Sequence, residues 1–154
     1  MAKRVGIVDT TFARFDMGSL AVQTIRENAN LQVIRRTVPG VKDLPVASKK
    51  LVEEEQCSAV LVIGMPGPEP IDKTCAHEAS LGIIRAQLMT NTHILECFVH
   101  EDEASTDTEL IEICKDRASK HALNLIRVVE DPDWFVRHAG QGLRQGHPDA
   151  GPLE

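Results

Sequence analysis

Aromatic rings are scarce in this chain: no tyrosine, one tryptophan and four phenylalanines among 154 residues. The core must be aliphatic, and a ring in a loop is conspicuous. Phe12 and Phe15 sit together just after the first apolar run, which marks that loop as a stacking surface. Positive charge is also short, with 17 Lys and Arg against 23 Asp and Glu and a net charge of −6. No basic stripe is present, so nucleic acid is excluded as the default partner. No apolar run approaches the ~18 residues of a membrane span, and Met1-Ala2-Lys3-Arg4 leads straight into a strand pattern rather than a secretory leader. Cys57, Cys75, Cys97 and Cys114 are far apart, without a C-x-x-C pair. Their apolar neighbours predict reduced thiols in a cytoplasmic protein, not a disulfide frame or zinc site.

The signature loops of several enzyme classes are missing too. There is no G-x-G-x-x-G after the first strand pattern and no Gly-Lys-Ser/Thr loop, which argues against dinucleotides and nucleoside triphosphates. G-x-S-x-G is absent, so a serine hydrolase is unsupported. Asp9 ends the first strand pattern as in a receiver domain, but the third ends in Gly64 where such a domain needs another aspartate.

What is present is alternation. Val5-Gly6-Ile7-Val8 reads as a buried parallel strand. Asp16 then caps a helix over Met17 to Glu27, with Leu20, Ala21 and Ile25 on one face. Leu31 to Arg36 alternates as a second strand, and a helix follows from Leu44 to Glu55. Ala59-Val60-Leu61-Val62-Ile63 is fully apolar and belongs at the centre of a sheet. A third helix opens at Asp72 or Lys73, a strand spans Ile94 to Val99, and a long helix covers Asp107 to Leu125. The residues from Asp131 onward form a tail holding Trp134-Phe135 and several glycines. Strands alternating with helices predict an α/β fold, a three-layer sandwich around a four-stranded parallel sheet, in one domain over residues 1–154. A sheet this small has edges to cover, so self-association is expected.

The loops after the strands converge on one rim, where open α/β sheets bind ligands. The stretch Thr37-Val38-Pro39-Gly40-Val41-Lys42-Asp43-Leu44-Pro45 stands out among them. Pro39 holds the preceding residues extended, and Gly40 is expected in angles closed to other residues. Pro45 suits a first helical turn, with Asp43 or Leu44 as the cap. This predicts a rigid elbow offering backbone N–H groups and the Asp43 carboxylate.

Several polar groups carry two readings each. His77 lies near the start of the third helix, where the positive helix end would hold it neutral as a base; equally, it can be a half-buried histidine bonded to a loop carbonyl. Glu96 interrupts an apolar strand, so it either faces solvent on an edge or reaches a neighbouring subunit. His100-Glu101-Asp102-Glu103 offers hard-metal ligands or is a solvated charge run. Arg117, Lys120 and His121 can meet a polar ligand or line a wet helix face.

The elbow, the Ile63-Gly64 loop and Glu78-x-x-x-Gly82 together resemble the lumazine synthase superfamily, with Asp43 at the place of that family's glutamate. More particular segments are Val5 to Arg14, Cys75 to Gly82, Phe98 to Glu103 and Gly142-Leu143-Arg144-Gln145-Gly146. These resemble the archaeal-type riboflavin synthases within that superfamily. The resemblance implies a flavodoxin-like fold and dismutation of two 6,7-dimethyl-8-ribityllumazine molecules to riboflavin and 5-amino-6-ribitylaminouracil. It further implies a homopentamer with sites between subunits, magnesium as a helper and no organic cofactor. Lumazine synthase itself, or a non-catalytic flavin or lumazine carrier, is the alternative.

On that footing His77, Glu78 and Glu96 are the candidate catalytic groups, with His77 preferred as proton shuttle and His100 a further option. Thr11, Phe12, Pro39, Gly40, Val41, Lys42, Asp43, Gly64, Met65, Pro66, Gly67, Cys97, Phe98, His100 and Arg117 are the candidate substrate-binding residues. Two features depart from lumazine synthase. Met65-Pro66-Gly67-Pro68-Glu69-Pro70 replaces its phosphate-binding Arg-Gly-x-Thr, and prolines without N–H groups beside an acid suit phosphate poorly. Glu96 stands where that enzyme commonly places a stacking phenylalanine.

Overall fold

A computed structural model describes residues 2–154. Four strands, β1 (Arg4–Thr10), β2 (Gln32–Val38), β3 (Ala59–Gly64) and β4 (Ile94–Phe98), pair in parallel in the order β2-β1-β3-β4. The helices are α1 (Met17–Asn28), α2 (Leu44–Glu53), α3 (Pro70–Thr90), α4 (Asp107–Glu130) and the short α5 (Asp133–Arg137). Helices α1 and α4 cover one face of the sheet, and α2 and α3 the other. This is the doubly wound, flavodoxin-like order, in which the chain reverses direction across the sheet at β1/β3.

The layers follow from strand periodicity. On β1, Val5 and Ile7 face the α1/α4 core, while Val8 faces the α2/α3 core. Strand β3 is buried along its whole length, as its apolar run predicts for the position between β1 and β4. Gly6 is glycine because Leu51 crosses directly over it: a Cβ there would lie 2.6 Å from the leucine Cδ1.

Some boundaries differ from the sequence reading. Strand β2 continues through Thr37 and Val38, because pairing with Asp9 and Thr10 carries it to the end of β1. Helix α3 begins at Pro70, two residues before Asp72, since a proline at the first helical position loses no hydrogen bond. Helix α4 runs five residues beyond Leu125. Helix α5 was not foreseen; Trp134 lies against His138 (ring centroids 3.9 Å apart) and under the Arg127 guanidinium at 3.8 Å, a local cluster that five residues of periodicity cannot announce.

Candidate active site

The rim is assembled at the C-terminal ends of the strands. Asp16 caps α1 as the sequence predicts: its carboxylate accepts from the Ser19 N–H at 3.1 Å and from the Ser19 hydroxyl at 2.6 Å. The loop before it, carrying Thr11 and Phe12, is tied to the elbow. The Thr11 N–H donates to the Val38 carbonyl at 2.9 Å, and its hydroxyl donates to the Pro39 carbonyl at 3.5 Å. Phe12 is left with 56% of its surface exposed, in a chain that has few rings to expose.

The elbow is built differently from expectation. Gly40 has φ −149° and ψ 172°, extended angles open to any residue, and a Cβ there would meet only the Asp43 carboxylate at 3.9 Å. Neither backbone angles nor internal packing demands glycine at this position; it keeps the outer surface of the elbow low. Asp43 does not cap α2 through its side chain. Its carboxylate instead accepts the Gly40 N–H at 3.1 Å, closing a 3-10 turn over Val41–Asp43. Lys42 reaches Glu78 of α3 at 3.5 Å, and Pro45 packs where a Cβ on Gly82 would lie, at 2.8 Å. The Glu78-x-x-x-Gly82 spacing thus places one rim contact and one helix–helix contact on the same face of α3.

Beyond the elbow, Val41 and Phe98 close over Gly64, where a Cβ would come within 3.0 Å of both side chains. The segment Gly64 to Gly67 is buried beneath the turn after β4, whose Glu101 N–H donates to the Pro66 carbonyl at 3.1 Å. This turn is braced by Lys73–Asp102 at 2.7 Å and Arg14–Glu101 at 3.5 Å. The Lys73 ammonium holds the Asp102 carboxyl below its usual range through a hydrogen bond. The His100–Glu103 run is therefore a braced turn rather than a free charge run. Nδ1 of His100 is buried and has no hydrogen-bond partner among the described residues.

Glu96 sits on β4, an edge strand, and its side chain faces α3, where its carboxylate accepts a hydrogen bond from the Ser80 hydroxyl. Burial raises its pKa; the Ser80 hydrogen bond and nearby His100 oppose this without cancelling it. Glu96 is thus neither fully solvated nor unpartnered.

Four expectations need correction. Cys97 faces the α1/α4 core with no exposed surface, and burial pushes its thiol up to about 12, so it packs rather than reacts. The Met65 side chain is likewise part of that core. Arg117 is 5% exposed and commits every N–H inside the chain, to Glu103, the Phe98 carbonyl and the Gly146 carbonyl, so it is no wet-face cation. His77 is the eighth residue of α3, exposed and two turns from the helix end, beyond the reach of the terminal dipole invoked for it. One turn on from Arg117 along α4, His121 is buried; burial holds it below the usual histidine range against hydrogen bonding to the Arg117 carbonyl, 2.7 Å from its Nδ1.

Sequence reasoning missed Arg35. Its guanidinium bridges the buried Asp9 and the exposed Asp16 (2.7 Å) and donates to the Ser19 hydroxyl at 2.9 Å, while Thr37 donates to Asp9 at 2.6 Å. Hydrogen bonding to Asp9 raises the arginine's pKa further. The network pins both ends of the Phe12 loop. Its one sequence signal is an arginine two residues after Val33, and so on the strand face that packs toward the α1/α4 core. For metals, no three His, Cys, Asp or Glu side chains converge among the described residues, so the rim does not fit an all-protein magnesium cage.

Comparison with known proteins supplies the family. The profile of the 6,7-dimethyl-8-ribityllumazine synthase family matches residues 2–132. A riboflavin synthase of Methanothermobacter thermautotrophicus is 61% identical over 151 residues, 97% of this chain and 99% of that protein. A riboflavin synthase of Aeropyrum pernix is 46% identical over the full length of both chains, and one of Archaeoglobus fulgidus is 39% identical over 97% of this chain and 98% of its own. With a strand order, an elbow and a rim of this form, and relatives this similar along its length, the chain belongs to the lumazine synthase family, among members named riboflavin synthase.

Proposed function

We propose that the protein is a riboflavin synthase, converting two molecules of 6,7-dimethyl-8-ribityllumazine to riboflavin and 5-amino-6-ribitylaminouracil. The observation that carries the choice over lumazine synthase is the start of α3. Two of its first N–H groups, those of Asp72 and Lys73, already bond back to the Glu69 carbonyl at 3.0 and 3.2 Å, and the Asp72 carboxylate accepts the Glu69 N–H at 3.1 Å. A helix start closed by two acids repels a substrate phosphate. A flat, phosphate-free lumazine needs no such cradle. It fits an exposed Phe12 ring beside a low Gly40 elbow, with Asp43 and Lys42 in reach of ribityl hydroxyls.

The reaction asks the protein mainly for alignment. The C7 methyl group of one lumazine is acidic because its carbanion spreads into the ring. Attack on the second lumazine and elimination from the adduct then give both products. Holding two rings in register turns a bimolecular encounter into an intramolecular step, worth up to about 7–11 kcal/mol. Among the candidate proton carriers, Glu96 and His100 have the firmer geometry: Glu96 is half-buried, held by Ser80 and raised in pKa by burial, and the His100 Nδ1 is buried with no hydrogen-bond partner among the described residues. His77 and Glu78 stand on the exposed face of α3 as the competing pair.

The same reading covers assembly. Helix α3 is apolar on its outer side as well as its inner one: Ile71, Leu81, Ile84, Leu88 and Met89 are all exposed. Apolar side chains clustered this way on a surface mark an interaction site, and in this reading a second copy covers them. With the family resemblance, the reading is a heterologous contact that closes into a ring, a homopentamer with sites shared between neighbours. Among the described residues no helix is long and apolar enough to cross a membrane, and the proposed setting is the cytoplasm. Magnesium, if used, would act on the ligands rather than from a protein cage, and no step here depends on it.

One assay tests the function: pure protein with the lumazine alone, followed by riboflavin absorbance and fluorescence. Riboflavin formation is expected. Phosphate release from the four-carbon phosphate substrate without it would make the chain a lumazine synthase, and tight riboflavin binding with intact lumazine a carrier.

A further inference from the structure

We infer that the C-terminal tail acts as a strap on the substrate rim, with Arg117 as the positioning residue that transmits its hold; this rests on the rim being the lumazine site. The tail after α5 is almost wholly exposed, and Gly146 is its one buried residue beyond Ala139. The Gly146 carbonyl accepts from Nε and Nη2 of Arg117, both at 3.2 Å. The remaining donors of that guanidinium go to the rim. Nη1 reaches the Phe98 carbonyl at 2.9 Å, and a two-pronged pair joins Nη1 and Nη2 to Glu103 at 2.7 and 2.8 Å. Glu103 Oε2 in turn accepts the His100 N–H at 2.7 Å. One unbroken chain of hydrogen bonds thus runs from the tail to the turn that holds the His100 imidazole.

Gly146 cannot be replaced without breaking this chain. Its φ is +77°, and a Cβ would lie 2.3 Å from the Arg117 Cγ. Without the Gly146 carbonyl, two buried N–H groups of Arg117 lose their acceptor, which favours a different guanidinium pose and frees the turn. The tail has little else to do in packing. Its other ties are polar and include Asn124 to Gln145 at 2.9 Å and, within the tail itself, Ala150 to Gly142 at 2.8 Å and the Arg144 N–H to Asp149 at 2.9 Å. The lumazine synthase profile stops at residue 132, before this segment, whereas the matches to riboflavin synthases extend over 97% of the chain or more.

The test uses the full-length chain with Gly146→Ala, read in two ways. In steady-state turnover of the lumazine, kcat is expected to fall at least tenfold while KM moves less than threefold, because Phe12 and the elbow are untouched. By hydrogen exchange, the His100 amide is expected to exchange at least tenfold faster. The reciprocal variant Glu103→Gln, which keeps the shape of the side chain, is expected to speed trypsin cleavage after Arg144 at least threefold. Unchanged kcat and unchanged His100 exchange in folded Gly146→Ala overturn the strap. If that variant does not fold, an unchanged cleavage rate in Glu103→Gln overturns it instead. Wild-type protein that makes no riboflavin would sink the functional reading alone, since exchange and proteolysis read the strap without activity.

Discussion

The hydroxyl of Ser80 on α3 donates to the carboxylate of Glu96 on the edge strand β4, joining a helix to a strand through a half-buried acid. Because burial raises the Glu96 pKa in the folded protein, its contribution to stability is complete below the unfolded value of about 4.3 and is lost as pH rises through the folded value. Glu96→Gln keeps an acceptor for Ser80 and never ionises. Its Tm should match the wild type near pH 4 and exceed it at pH 8. An equal Tm at pH 8 would remove the burial argument. Loss of turnover in the same variant would assign Glu96 to proton transfer.

Phe12 stands in solvent, so removing its ring should leave the fold intact. Phe12→Ala is expected to keep the wild-type Tm within about 1 °C and to weaken lumazine binding. An aromatic pair is worth about 0.5–1.5 kcal/mol, a KM increase of roughly 2–13-fold. A change in Tm with unchanged KM would show that the ring packs rather than stacks on substrate.

Arg35 is the counterion of a nearly buried Asp9. Breaking such a pair from one side leaves a charge without its partner, typically about 3–5 kcal/mol. The arginine is 31% exposed at its side chain, which places Arg35→Ala at the lower end of that range. Urea unfolding should show the loss, and Arg35→Ala, Asp9→Ala double variants should lose less than the sum of the two.

Gly82 is fixed by the neighbouring helix, with no positive φ involved. A side chain there meets Pro45 at 2.8 Å, so Gly82→Val should push α2 and the elbow outward and destabilise by about 1–3 kcal/mol. Both Tm and lumazine affinity are expected to fall together. An unperturbed affinity would mean that the elbow does not ride on the α2–α3 contact.

The local grammar of the chain was legible from its residues. Apolar runs marked three of the strands and alternation over Leu31 to Arg36 the fourth, Asp16 and Pro45 marked helix starts, and the succession of elements implied the parallel sheet and its rim. Phe12 and Asp43 could be picked out because two rings in one loop of a ring-poor chain, and an acid in a Pro-Gly loop, are unusual. These signals are local, set by backbone geometry and by the two periods of strand and helix, so a linear reading recovers them. The partners of polar groups were not recoverable that way. Arg117 reads like any cation on a helix, yet residues 14, 19 and 29 positions away absorb all its donors. Cys97 and Glu96 are adjacent in sequence, but β4 turns one into a sealed core and the other toward Ser80. Hydrogen bonds and burial depend on which surfaces the folded layers bring within about 3 Å, and only tertiary packing sets those distances.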